Sequence, residues 1–290
     1  MSEEPMSLQR MIDKTLPVRK AAFRLLDRRG LRGVLGGGVS VYSLLRRGRG
    51  VWVTPEKGLW VHRFVDGYLV NRVIDTTLLD TIDSVARDTF LHGLSVSPGD
   101  VVVDVGAGVG TEVLTFSRLA GPGGRVLAIE AHPETARALQ RTVVLNGLRQ
   151  VEVIAAAATA KECELSITDE EDHIKSQVRS DTSSGAHRVP GRPLAMLLRE
   201  RGIERIDLVK MNIEGAELDA LRGLGAALAN VRQVAISCHD FLAPESDPHD
   251  WRRTFDGVRQ LLADAGFELW SREADERPWV RHTWYGRRPR

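Results

Sequence analysis

From Val101 onward the chain alternates between two patterns. A short, unbroken apolar run comes first, then a stretch with apolar residues three or four apart. "VVVDV" (101–105) is such a run, as a strand covered on both faces requires. A glycine turn and a helix over 111–120 follow. "RVLAIE" (125–130) predicts a second strand, Ala136, Leu139 and Val143 a helix, and "VEVIAAAA" (151–158) a third strand. Beyond a polar stretch, "IDLVKMN" (206–212) predicts a fourth strand and Leu218, Leu221 and Leu228 one helix. "QVAISCH" (233–239) predicts a fifth strand. Trp251, Phe255, Val258, Leu262 and Ala265 mark a last helical stripe. "FELWSR" and "VRHTWYGR" alternate and predict an antiparallel C-terminal hairpin at one edge. The whole predicts an α/β fold with a doubly wound, mostly parallel, Rossmann-like sheet.

Residues 1–95 follow a different grammar and predict an N-terminal helix/hairpin appendage to a domain over 96–290. Val18, Ala22, Leu25 and Leu26 form a helical stripe among Arg19, Lys20, Arg24, Arg28 and Arg29. Such a helix either lies on a membrane or acidic partner, or packs on the body or a second subunit. Packing is favoured, because the stripe is short and lacks Trp. "VLGGGVS" (34–40) predicts a loop, and "GVWVTPEKGLWVHRF" (50–64) a β-hairpin. Leu79, Ile82, Ala86 and Phe90 repeat at helical spacing. The appendage is expected to contact substrate or to form a homodimer.

Composition narrows the class. The 290 residues carry a formal charge of +1, so no global field attracts nucleic acid. Cys163 and Cys238 fit no metal spacing and read as free thiols in a reducing compartment. The first residues do not resemble a signal peptide, and no run is long enough for a membrane span. A cytoplasmic protein is expected.

"VDVGAGVGTE" places Gly106, Gly108 and Gly110 between a strand and a helix. Glycines there permit positive φ and close approach of backbone to ligand, and the helix start offers free N–H groups. A dinucleotide site would want a third glycine where Thr111 stands, which argues against a dehydrogenase. The G-x-G-x-G spacing, with Asp104 at the strand end, suits S-adenosylmethionine, whose carboxylate and ammonium need a donor and an acid. Glu130 ends the second strand, where a carboxylate can accept both ribose hydroxyls. Ala107, Thr111 and Ala131 extend this expected cofactor set. Ala156 is expected either to wall the adenine or simply to pack.

The segments 101–147 and "IDLVKMNIEGAELDALRG" resemble the FkbM-type methyltransferases, over about 100–240. The resemblance implies the class I methyltransferase fold and S-adenosylmethionine-dependent O-methylation. Gly106, Gly108, Gly110 and Glu130 match the family's cofactor residues, and Lys210, Glu214, Gly215 and Glu217 its K-x-x-x-EGAE signature. Asn212 stands where the family usually has Asp. It keeps an acceptor oxygen without the charge and is expected to hold cofactor or substrate.

Glu214, His239 and Asp240 are the expected catalytic residues, at the carboxyl ends of strands four and five, where open α/β sheets bind ligands. His239 would serve as base toward an alcohol. Alternatively the three would hold a divalent cation such as Mg2+. Glu217, in a helix's first turn, reads as a residue that favours the helix dipole. The polar stretch 168–192 predicts a lid or acceptor loop, with His173 and His187 as substrate contacts, and His132 reads as a helix-start residue. The expected acceptor is a hydroxyl of a sugar, oligosaccharide, glycolipid or polyketide-type metabolite. An RNA methyltransferase and a non-catalytic cofactor-binding protein are the alternatives. The balanced charge disfavours the first and the intact acids the second.

Overall fold

A computed structural model describes residues 31–47, 50–168, 178–179, 186–247 and 249–289. The basic stripe at 18–29 and His173 lie outside them. The chain divides into two compact units, Met1–Thr76 and Thr77–Arg290.

In the first unit, helix α1 (Arg32–Arg47) accompanies three antiparallel strands, β1 (Trp52–Glu56), β2 (Leu59–Arg63) and β3 (Tyr68–Asn71). Lys57 and Gly58 turn the hairpin with φ of 46° and 88°, the two left-handed positions of a tight two-residue turn. Pro55 is tolerated because β1 is an edge strand. The glycine run expected as a loop is helical. A Cβ on Gly36 would lie 2.5 Å from the Val53 carbonyl oxygen, so the missing side chain lets helix and hairpin close. Ser40 completes the seam: its hydroxyl donates to the Gly36 carbonyl (2.7 Å) and accepts the Val53 N–H (2.9 Å).

The second unit begins with helix α2 (Leu79–Phe90), which the sequence had grouped with the appendage. It belongs to the second unit because it packs there. Thr115 donates to Asp83 at 2.8 Å, and the buried Tyr285 hydroxyl donates to the Thr89 carbonyl at 2.7 Å.

The central strands are β4 (Val101–Val105), β5 (Arg125–Glu130), β6 (Val151–Ala155), β11 (Leu208–Asn212) and β12 (Gln233–Ser237). These five are parallel. With β13 (Glu268–Trp270) and β14 (Thr283–Arg287) they form a seven-stranded sheet in the order β13-β14-β12-β11-β4-β5-β6. The predicted C-terminal pair is antiparallel and lies at one edge, with β14 paired to β12 and β13 outermost. The crossovers include helices α3 (Thr111–Ala120), α4 (Pro133–Leu145) and α5 (Leu194–Glu200). This is a mostly parallel α/β sheet with its two C-terminal strands antiparallel.

Strand alternation gives the sheet two apolar faces. Val103, Val105, Leu127, Ile129 and Val209 line one, and Val102, Val126, Ala128, Leu208 and Phe116 the other. Asp104 and Lys210 fall, by period two, on the second face.

The predicted third strand changes partners. At Ala156 the backbone N–H bonds to the Glu130 carbonyl (3.2 Å), and β7 (Ala157–Ala158) then joins a second sheet. Its order is β7-β10-β8-β9, with β8 at Cys163–Thr168, β9 at Val178–Arg179 and β10 at Ala186–Arg192. The end of the supposed loop is therefore a strand, paired along its length with β8. The helix expected through Leu228 also breaks. Helix α6 (Glu217–Arg222) stops at Gly223, where a Cβ would meet the Thr159 carbonyl oxygen at 2.2 Å, and a 3-10 turn follows over Gly225–Asn230. The helix predicted from Trp251 onward, α7 (Phe255–Asp264), starts after Trp251, which is 46% exposed. No helix among the described residues is long and apolar enough to cross a membrane.

Candidate active site

The three loop glycines answer to three different constraints. All have positive φ, at 72°, 55° and 99° for Gly106, Gly108 and Gly110. A Cβ on Gly106 would stand 2.1 Å from the Asn212 carbonyl oxygen, so this glycine lets the first and fourth strand ends touch. On Gly110 it would meet Leu139 Cδ1 at 2.8 Å, a packing limit beneath the helix start. On Gly108 it would meet nothing within 4 Å; the backbone there faces open space. Gly106 and Ala107 both donate to the Ile129 carbonyl, at 2.9 and 3.1 Å, and Ala107 is fully buried. Thr111 donates to Glu112 at 2.7 Å.

Glu130 faces this loop from the end of β5. One carboxylate oxygen accepts the Gly108 N–H (2.9 Å) and the other the His132 N–H (2.9 Å). Burial pushes its carboxyl up, and these two bonds oppose the shift. His132 does cap a helix: its ring accepts the Thr135 N–H, with Pro133 in the first turn. The His187 ring, on β10, stands edge-on to that of His132 at 5.2 Å. Ala131 packs against Ala157, Ile167 and Val189, and Ala156 is buried.

The signature lysine acts beneath the loop. Lys210 Nζ lies 2.8 Å from Asp104 Oδ1, donates to the Gly106 carbonyl at 3.0 Å, and sits 4.9 Å from the centre of the Phe90 ring. Both charged side chains are 0% exposed. Asp104 Oδ2 has no hydrogen-bond donor among the described residues. Burial pushes Asp104 up to about 6, against the pull of Lys210. Burial alone would lower Lys210, but Asp104 and Glu112 more than reverse it and hold the ammonium charged.

The fourth and fifth strand ends carry the other candidates. Asn212 is exposed at the end of β11. Glu214 has a left-handed backbone, φ 52°, a strained state for a side chain of this size. Gly215 follows at φ 106°, with the Trp251 ring where its Cβ would be. Asp240 Oδ2 accepts the N–H groups of Thr254 and Phe255, both at 3.0 Å, and so holds the start of α7. Burial pushes its carboxyl up, with those two bonds opposing.

Glu217 opens α6 and is fully buried. Oε1 lies 2.7 Å from His239 Nδ1 and accepts the Gly215 N–H at 2.9 Å, while Oε2 accepts the Thr254 hydroxyl at 2.9 Å. A signal for this was present: Ala220 and Leu221, three and four residues on, are core residues, so Glu217 falls on the inner face of its helix. Among the described residues no group of three or more His, Cys, Asp and Glu side chains is arranged to hold a metal ion. In the expected Glu214–His239–Asp240 set, Nδ1 of His239 meets Glu217 and Oδ2 of Asp240 accepts two amides.

Comparison with known proteins bears on the family. Residues 104–269 match the Methyltransferase FkbM domain. AmbE, the AMB antimetabolite synthetase of Pseudomonas aeruginosa, is 30% identical over 216 residues, 61% of this chain but 10% of that protein. The 31-O-demethyl-FK506 methyltransferase FkbM of Streptomyces tacrolimicus is 29% identical over 182 residues, 51% of this chain and 69% of that one. The crystal structure of methyltransferase FkbM from Methylobacillus flagellatus KT aligns with a TM-score of 0.47 at 20% identity. It covers 72% of this chain and 50% of that one.

Proposed function

Because this chain belongs to the FkbM methyltransferase family, we propose that it is an S-adenosylmethionine-dependent O-methyltransferase acting on a hydroxyl of a sugar, glycolipid or polyketide-type metabolite. The observation that carries this is the cradle of Gly108 and Glu130, an open backbone position and a strand-end carboxylate joined at 2.9 Å. Glu130 would receive the ribose hydroxyls, Gly106 to Thr111 the methionine end, and Ala131, Ala156 and His187 the adenine side. When bound, the cofactor supplies an electrophilic methyl group on a positively charged sulfur. The chain's own task is to align an acceptor oxygen and take up its proton. His239 suits that task, since Glu217 occupies Nδ1 and leaves Nε2 for the hydroxyl. Asn212 and Glu214 would orient the acceptor. O-methylation draws support from the Streptomyces relative, whose name specifies a missing O-methyl group.

The test is a screen of hydroxylated acceptors with radiolabelled S-adenosylmethionine, with and without EDTA. Label transferred to oxygen supports the proposal, and loss of transfer in EDTA would restore the divalent cation. Calorimetry with S-adenosylhomocysteine checks the cradle. Glu130→Gln should weaken binding about 10- to 100-fold, the worth of a charged acceptor of two hydrogen bonds. Affinity within twofold of wild type would remove Glu130 from the site.

A further inference from the structure

At this edge of the sheet Glu217 holds three contacts at once, to His239, Gly215 and Thr254. It joins three elements. Glu217 is the first residue of α6, His239 follows β12, and Thr254 precedes α7. At neutral pH a carboxylate accepts hydrogen bonds and donates none. The 2.7 Å contact with His239 therefore requires the proton on Nδ1. Gly215 N–H and the Thr254 hydroxyl hold the same carboxylate at both oxygens, so it cannot swing with the ring. Phe241, tilted 5.5 Å from the imidazole, limits the ring from another side.

We infer that Glu217 is a positioning residue that locks His239 in the Nδ1–H tautomer, so that the lone pair on Nε2 is presented to the acceptor hydroxyl. The inference rests on His239 as the base of the proposed reaction, but the tautomer itself is independent of that reaction. The neighbouring titratable groups offer no better base. Asp240 Oδ2 is held by two amides, and burial raises the Cys238 thiol far above its ordinary range, with Glu217 adding to the shift. A brace that merely tied three elements together would need no imidazole. Here the carboxylate gives its shortest contact to the ring.

The experiment is long-range 1H–15N correlation NMR on the full chain, with the His239 signals assigned by their loss in His239→Ala. The wild type should show Nδ1 protonated and Nε2 bare. Glu217→Ala should shift the tautomer ratio toward Nε2–H by about tenfold or more, the worth of one charged hydrogen bond. Glu217→Gln, whose amide oxygen can still accept from Nδ1–H, should restore the wild-type tautomer. Thr254→Val, which loosens Oε2 only, should retain it. An Nε2–H tautomer in the wild type, or an unchanged ratio in Glu217→Ala, would overturn the inference. The wild-type spectrum decides even if Glu217→Ala does not fold. Failure of S-adenosylhomocysteine to bind, with the Nδ1–H tautomer intact, would instead overturn the methyltransferase proposal.

Discussion

Asp104 shows how one residue couples chemistry to stability. Its carboxyl is pushed by burial from the ordinary aspartate value of 3.8 up to about 6. Between those values the folded protein keeps a proton that the unfolded chain has lost. Stability from this group is therefore present below about pH 4 and is lost as pH rises through 6. Asp104→Asn keeps the shape and never ionises. It should gain on the wild type as pH rises from 4 to 7, because only the wild type has a proton to lose there. Urea melts of both proteins across that range would check this, and a flat difference would show that the carboxyl titrates normally. The sequence showed Asp104 at a strand end, but not its burial against a lysine. Lys210 stands two places from Leu208 and shares its apolar face. A charged residue at an inward position of a buried strand is the sign that it has a partner.

Among the elements, those governed by simple periodicity were legible. The helix over Thr111–Ala120 and the strands Val101–Val105 and Arg125–Glu130 lie where the apolar pattern put them. The misread elements are those decided by distant backbone. Nothing local in "VLGGGVS" reveals that a hairpin will press on Gly36, nor does Gly223 reveal the Thr159 carbonyl behind it. The same logic separates neighbouring glycines. Gly37 and Gly38 have nothing within 4 Å of a built Cβ, and both lie inside α1. Ala at either should stabilise the helix by about 0.5–1 kcal/mol. Ala at Gly36 should instead weaken its seam with β1. Hydrogen exchange at Val53, whose amide bonds to Ser40, should slow in Gly37→Ala and Gly38→Ala and quicken in Gly36→Ala.

At the scale of the second unit the two edges of the parallel sheet differ in kind. At the amino edge, Arg232 bonds to both Asp100 and Asp207, and Asp207 also accepts the Val101 N–H. These closed networks leave little for a ligand. At the carboxyl edge stand the open Gly108 backbone, Glu130 and His239. Binding of S-adenosylhomocysteine should therefore slow hydrogen exchange over 106–111 and 129–132 while leaving 100–102 unchanged. Equal slowing at both edges would point to global stabilisation without a local site. The location of this edge was legible from strand order alone. The Glu217–His239 bond was not, because its partners are 22 residues apart and meet only when β11 and β12 lie side by side.

Lys210 donates to the carbonyl of Gly106 while its charge balances Asp104, so the loop and the K-x-x-x-EGAE segment form one module. A chimera that imported the loop from a relative lacking the lysine would inherit a dry, unbalanced negative charge and a carbonyl with one donor fewer. Grafts between members of this family must carry the two segments together.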